Sequence, residues 1–228
     1  MRTILKLIIG ISIIVSTSSC VSNKMLTSSV PPSAINEMVY FEPISYIHLI
    51  KKGNKSKLND SLSQITKNKV ENILLKNKGK LNISNSIKVE NDTLTKRIEN
   101  EIIFLIQTAS RNKSLKGLTL TPTIDSILKS NNQRFALAIV SVGFGRRKGN
   151  YSGQVAKAIG IGVLTLGMYI PAPVKSNITI YGIIFDSKLN EIAFYKRTKP
   201  IEKSPTDSKI LEKQITKLFE GYFYKRKR

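Results

Sequence analysis

One cysteine, one histidine, no tryptophan and 15 acidic residues against 37 lysines and arginines leave this chain short of the side chains from which most sites are built. Cys20 has no second thiol to pair with, so no disulfide holds the fold. One thiol and one imidazole fall short of the ligands of an ordinary zinc site. A Cys–His nucleophile pair would need Cys20 beside His48, and a Ser–His–Asp hydrolase would also have to use His48. That histidine stands between Ile47 and Leu49 in a strand-like segment, where solvation or a satisfied partner accounts for it. No G-x-S-x-G elbow accompanies it. The scarce acids are scattered among lysines, and Glu99 and Glu101 fall beside Lys96 and Arg97 on a predicted helix, where ion pairing is expected. No catalytic residues, metal site or cofactor are therefore expected; a hydrolase built on His48 is the remote alternative.

Long apolar runs are also few. The first is at the amino terminus, MRTILKLIIGISIIVSTSSC. Arg2 and Lys6 precede an uncharged run from Leu7 to Val15, and small residues then lead to Cys20, which is the layout of a secretory signal. The run is too short to span a bilayer, which takes roughly 20 residues. The stretch resembles the signal of bacterial lipoproteins, in which the cysteine after the cleavage site receives a lipid. That resemblance implies removal of residues 1–19, fatty acylation of Cys20 and a cell-envelope address, with the outer membrane facing the periplasm favoured because Val21–Lys24 lacks acids. The family usually has Leu three residues before the cysteine, where this chain has Thr17. Plain cleavage to a soluble product and a retained helix stay open as alternatives.

The net charge is +22, and loss of Arg2 and Lys6 with the leader lowers it only to +20. Such a charge attracts anionic surfaces and makes the contact salt-dependent. Outside the cytoplasm these surfaces are lipid headgroups and acidic glycans; nucleic acid would match the charge but not the address. A codon bias toward Lys, Asn, Ile and Ser is the plain alternative.

Residues 20–37, with Pro31-Pro32, read as the lipidated cysteine and a flexible tether, residues 38–224 as one domain, and 225–228 as a basic tail. Within the domain Ile44–Ile50 alternates as a strand and Lys51–Lys57 reads as a basic turn. A helix follows, capped by Asn59 or Asp60 and ended by Gly79, then a strand in Leu81–Val89. The clearest helix is capped by Asp92, with Leu94, Ile98, Ile102, Leu105 and Ala109 on one face, widened by Ile103, Phe104 and Ile106. Thr121-Pro122 opens a short helix. The continuous apolar run Phe135–Phe144 suits a central strand, Asn177–Asp186 and Glu191–Arg197 form a hairpin, and Ser204-Pro205 opens the last helix. The order β-α-β-α-(α)-β-β-β-α predicts an α+β domain: a single mixed sheet with helices packed mainly on one face. It is similar in pattern to the domain of the curli-secretion lipoproteins and to the amino-terminal domain of the Tol-system propeller protein, a resemblance that carries no functional residues.

Three stretches remain as candidate sites. Gly143, Gly145, Gly149 and Gly153 bracket Arg146, Arg147 and Lys148, a possible anion-binding cradle or an irregular loop; the spacing matches no nucleotide motif. Lys51–Lys80 holds nine lysines against Asp60 and Glu71, a solvated face or a surface turned to lipid or glycan. Ala158–Val174 has no charge and several Gly and Pro; it is expected to be buried as strand, turn or short helix. Its alternative is an apolar protrusion docking on membrane or on another subunit. The functional expectation is a non-enzymatic envelope lipoprotein acting by binding, as an accessory or assembly factor; self-assembly into a ring or pore through residues 158–174 is the alternative.

Overall fold

The computed structural model describes residues 25–165 and 172–225. The leader with Cys20, residues 166–171 of the apolar stretch and 226–228 of the basic tail lie outside the described residues. In chain order the elements are β1 (Leu26–Thr27), β2 (Met38–Tyr40), β3 (Ile44–Lys52), β4 (Lys55–Leu58), α1 (Asp60–Lys76), α2 (Lys78–Leu81) and β5 (Ile83–Ser86). They continue with α3 (Asp92–Arg111), α4 (Pro122–Ser130), β6 (Phe135–Arg146), α5 (Asn150–Leu164), β7 (Asn177–Asp186), β8 (Glu191–Arg197) and α6 (Ser208–Leu218).

The fold is α+β: one open, mixed eight-stranded sheet with helices packed against it. The apolar run of β6 is its middle strand. β7 pairs antiparallel along it from Phe135↔Asp186 to Phe144↔Asn177, and the predicted hairpin carries on to β8. Along the other edge of β6 lie two parallel strands end to end, β2 (Val39↔Ala136) and β3 (Ile44↔Val140 to Ile50↔Arg146). Pro43 divides them, since it has no N–H to give to a ladder. β5 pairs with β2, and β4 turns back on β3.

The helices cover both faces, not mainly one. Phe135, Leu137 and Ile139 of β6 join the core beneath α1 and α6, whereas Ala136, Ala138 and Val140 join the core beneath α3 and α4. A strand apolar at every position must be dry on both sides, and that property of FALAIVSVGF outweighs the helix order. The best-formed helix is less deeply set than expected. Ile98, Ile102, Leu105, Ile106 and Ala109 are buried, but Phe104 is 57% exposed.

Several boundaries also move. Residues 26–35 are not a free tether: β1 adds to the edge of β8 (Leu26↔Tyr195), and Val30 and Ile35 are buried. Apolar anchors spaced through a polar, proline-containing segment dock it, so the domain starts before residue 38. The basic turn Lys51–Lys57 is a hairpin whose lysines sit on β3 and β4. Gly79 lies inside α2, and left-handed Asn82 (φ 53°) ends it, while the fully buried Leu81 holds the chain in. The strand expected in Leu81–Val89 shortens to β5. Asn59 caps α1 as expected, its Oδ1 accepting the Leu62 N–H at 2.9 Å. α3 is capped not by Asp92, which lies in its first turn, but by Asn91, and α6 by Asp207, whose Oδ1 accepts from Lys209 N–H at 3.0 Å. A carboxylate at the helix's positive end outcompetes the Ser204 hydroxyl, which accepts from Thr206 N–H in the preceding turn. Glu101 does not pair with Lys96 or Arg97 but accepts from the Thr123 hydroxyl at 2.6 Å, tying α3 to α4.

Candidate docking site: helix α5 and its basic collar

Where β6 ends, the chain is fastened to the β3–β4 hairpin beside it. The Arg147 N–H donates to the Ile50 carbonyl at 3.0 Å. Gly149, at φ 83°, makes the left-handed turn into α5, a backbone shape that costs a residue with a Cβ. Arg146 is the centre of the joint. Its Nε donates to the Val174 carbonyl at 2.7 Å, its Nη1 to the Gly53 carbonyl at 3.0 Å and to Asn150 Oδ1 at 2.8 Å, and its Nη2 to Asn54 Oδ1 at 2.9 Å. One planar guanidinium thus holds the hairpin turn, the first residue of α5 and the returning chain in register, which the five donors of arginine suit.

This geometry dissolves the glycine cradle. Gly143 and Gly145 are inside β6 and Gly153 is inside α5, so only Gly149 belongs to the loop. Gly143 is required for a steric reason: a Cβ there would run into the Asn177 carbonyl oxygen. Of the three candidate anion-binding residues, Arg146 spends its donors on the backbone joint, while Arg147 and Lys148 are exposed. The structure therefore separates the trio into one structural arginine and two surface cations.

The surface those cations flank is apolar. In α5, Ala158 and Gly162 are buried, one turn apart, so that stripe faces the protein. Its outer side carries Ile159 at 60%, Val163 at 71% and Leu164 at 85% exposure, with Ile161 at the margin. The described part of the stretch expected to be buried is thus a projecting helix, and sequence reasoning erred because uncharged residues usually find a core. Val174, on the returning chain, is 42% exposed. No helix among the described residues is long and apolar enough to cross a membrane.

Around the base of α5 the surface is basic. Lys51, Lys52, Lys55 and Lys57 of the hairpin are exposed, as are Arg147 and Lys148. Lys157 projects from α5 itself, and Lys175 follows Val174. Residues 43–59 and 144–176 contain no Asp or Glu. The acid that reaches this end is Glu202, which accepts from the Lys175 backbone N–H at 2.7 Å. The hairpin half of the collar was missed as a partner of α5 because nearly a hundred residues separate them; the shared lack of acids was the available signal.

His48 is half-buried in β3, opposite Leu58 and Phe144, and among the described residues its ring makes no hydrogen bond or ion pair. The structure does not assemble a Ser–His–Asp arrangement on it.

No family model and no curated protein matches the sequence. Among solved structures, the chain is similar to the PelC dodecamer from Paraburkholderia phytofirmans at 7% identity and TM-score 0.39, over 89% of this chain and 97% of that one. It is also similar to the LpoB C-terminal domain from Salmonella enterica at 9% identity and TM-score 0.32, over 78% and 88%. At these values the likenesses assign neither a family nor an activity.

Proposed function

We propose that this chain is a lipid-anchored, non-enzymatic protein of the cell envelope that works by binding, as an accessory or assembly factor, through α5 and its collar. The observation that carries the binding role is the exposed aliphatic side of α5 inside a strongly basic surround, to which residues 43–59 and 144–176 contribute no acid, since exposed apolar patches rimmed by polar groups mark interaction sites. The leader ending at the lone Cys20 supports the address: an acylated cysteine at a membrane, with the outer membrane facing the periplasm as the favoured location. Two or more acyl chains hold a protein far more firmly than one, at about 0.8 kcal/mol per buried methylene. Mass spectrometry of the mature amino terminus, together with photocrosslinking from position 164 in cells, tests the reading. Acylated Cys20 in the membrane fraction and crosslinks to envelope components are expected. A cytosolic chain with its leader intact and its thiol free would refute it.

The exposed α5 also favours a second reading, self-assembly into a ring through residues 158–174. Size measurement after detergent extraction separates the two, because a monomer or dimer is incompatible with a ring.

A further inference from the structure

Resting on that envelope reading, we infer that α5 and its collar form a second membrane contact, which docks on a bilayer containing anionic phospholipid and lays the outer side of α5 into the headgroup–acyl boundary. The occupant follows from three properties of the surface. The exposed groups of the helix tip are Ile159, Val163 and Leu164, aliphatic side chains with no hydrogen-bonding group. A fluid hydrocarbon region accepts them without shape matching. The surround carries positive charge from two separate chain segments, and phosphate headgroups supply its complement at the depth where a helix lying in the interface would place it. α5 has 15 residues, about 22 Å at the helical rise, and only its last two turns are apolar on the outside. It can enter the boundary region but not traverse the core.

A second copy of the chain fits less well. Two α5 helices brought together would set collar against collar, and neither offers an acid from residues 43–59 or 144–176 as counter-charge. Like charges facing one another across an interface disfavour the pairing. The collar is also fixed in position. Arg146 bonds the hairpin turn, the start of α5 and the returning chain, so the lysines and the aliphatic tip are presented as one surface.

The absence of tryptophan from the chain supplies the test. Leu164→Trp in the full chain places the sole indole at the tip of α5. Leu189→Trp places it in the β7–β8 turn, beside Asp186, which pairs with the first residue of β6 and so lies at the other end of the sheet. Leu189 is also exposed, at 48%, which makes it a matched control for a generally adhesive indole. Each variant is purified in detergent and reconstituted into vesicles of phosphatidylcholine alone or mixed with phosphatidylglycerol, with brominated acyl chains as quenchers, and acylation of Cys20 is read by mass spectrometry on the same sample. The expected result is a blue-shifted emission for Leu164→Trp and quenching several-fold stronger than for Leu189→Trp, in the phosphatidylglycerol vesicles, reduced in phosphatidylcholine and by high salt. Adding Ile159→Asn and Val163→Asn abolishes the quenching while thermal unfolding stays in place, because both side chains already face solvent. Equal quenching at the two positions, equal quenching in both lipids, or a blue shift without lipid that tracks self-association overturns the inference. An acylated Cys20 with Leu164→Trp unquenched removes the docking site and leaves the anchor. A free Cys20 thiol with the quenching intact removes the anchor and leaves the docking site.

Discussion

Arg146→Ala should loosen α5 without unfolding the sheet. The substitution removes the bonds to the Val174 and Gly53 carbonyls and to the Asn150 and Asn54 side chains. A hydrogen bond from a charged donor contributes about 1.5–3 kcal/mol when buried, but the guanidinium is half-buried and water takes over part of what is lost. A net cost of about 2 kcal/mol is expected, which is a rise of roughly thirtyfold in the opening equilibrium of the segments it ties. The loss should stay local, because α5 buries only Ala158 and Gly162 on the protein, and segments with few buried contacts open independently of the core. Hydrogen–deuterium exchange on peptides from Asn150–Leu164 and Phe135–Arg146 reads both expectations: much faster exchange in the first, little change in the second. Arg146→Lys keeps the charge but has one nitrogen to reach acceptors on separate segments, so it should restore little of the protection. Unchanged exchange in α5, equal acceleration along β6, or full rescue by lysine would each refute the role given to Arg146.

Asp186 is fully buried, accepts from Arg134 Nε and Nη2 and from the backbone N–H of Lys188 and Leu189, and so closes the β7–β8 turn. Asp186→Ala removes the acceptor of the turn's buried N–H groups, while the Arg134 side chain, 38% exposed, turns to water, so the change should cost about 2 kcal/mol, read as a lower urea midpoint at constant slope. The two glycines at the ends of the β6–α5 region should respond in opposite directions. Gly143→Ala drives a Cβ into the Asn177 carbonyl and should destabilise by several kcal/mol, whereas Gly160→Ala meets nothing within 4 Å and should steady α5 by about 1 kcal/mol. Burial, the leading cause for both, pushes the Tyr195 and Tyr222 phenols up to about 12. Their folded values lie above the ordinary 10.0, so their contribution to stability is complete below pH 10 and is lost as the pH rises toward 12. Denaturant midpoints across that window should fall, and should fall less steeply in Tyr195→Phe and Tyr222→Phe.

Local order was legible wherever local pattern and tertiary demand agreed. The hairpin Asn177–Arg197 is rich in β-branched and aromatic residues and broken by the turn residues 187–190, and it formed at the predicted boundaries, although its strands are buried almost throughout and do not alternate. The Asn59 cap and the stripe of α3 are likewise local. The expectations that failed concern what an element meets in space. That helices cover both faces follows from the two-sided dryness of β6, yet the helix order alone suggested one face. Leu26, Val30 and Ile35 look like isolated apolar residues in a polar lead until β8 and the core receive them. Arg146 reads as one of three adjacent cations, and only the parallel pairing of β3 with β6, Ile50 beside Arg146, brings it to the hairpin turn. The leader's reading rests on the sequence alone, outside the described residues.

Lysine content by itself does not single out the end of the molecule that carries α5. A codon bias would scatter lysines over every face, and α1 and α6 are lysine-rich as well. The distribution of acids is more selective. At the chain's overall frequency, 15 in 228, residues 43–59 and 144–176 together would carry about three, and they carry none. These windows lie far apart in sequence, and the β3–β6 pairing sets their basic ends side by side around α5, whose Val163 and Leu164 are the most exposed aliphatic side chains among the described residues. A compositional bias gives no reason for the acid-poor windows to meet there. A surface that must approach phosphate headgroups does, because each carboxylate added beside the exposed lysines would repel the headgroups there; the carboxylate that does reach this end, Glu202, is engaged by the Lys175 backbone N–H. Placing Glu at Lys52 or Lys148 should therefore weaken vesicle binding beyond Ala at the same position, with the Glu–Ala difference vanishing at high salt; equal effects of Glu and Ala would mean that the lack of acids there is incidental.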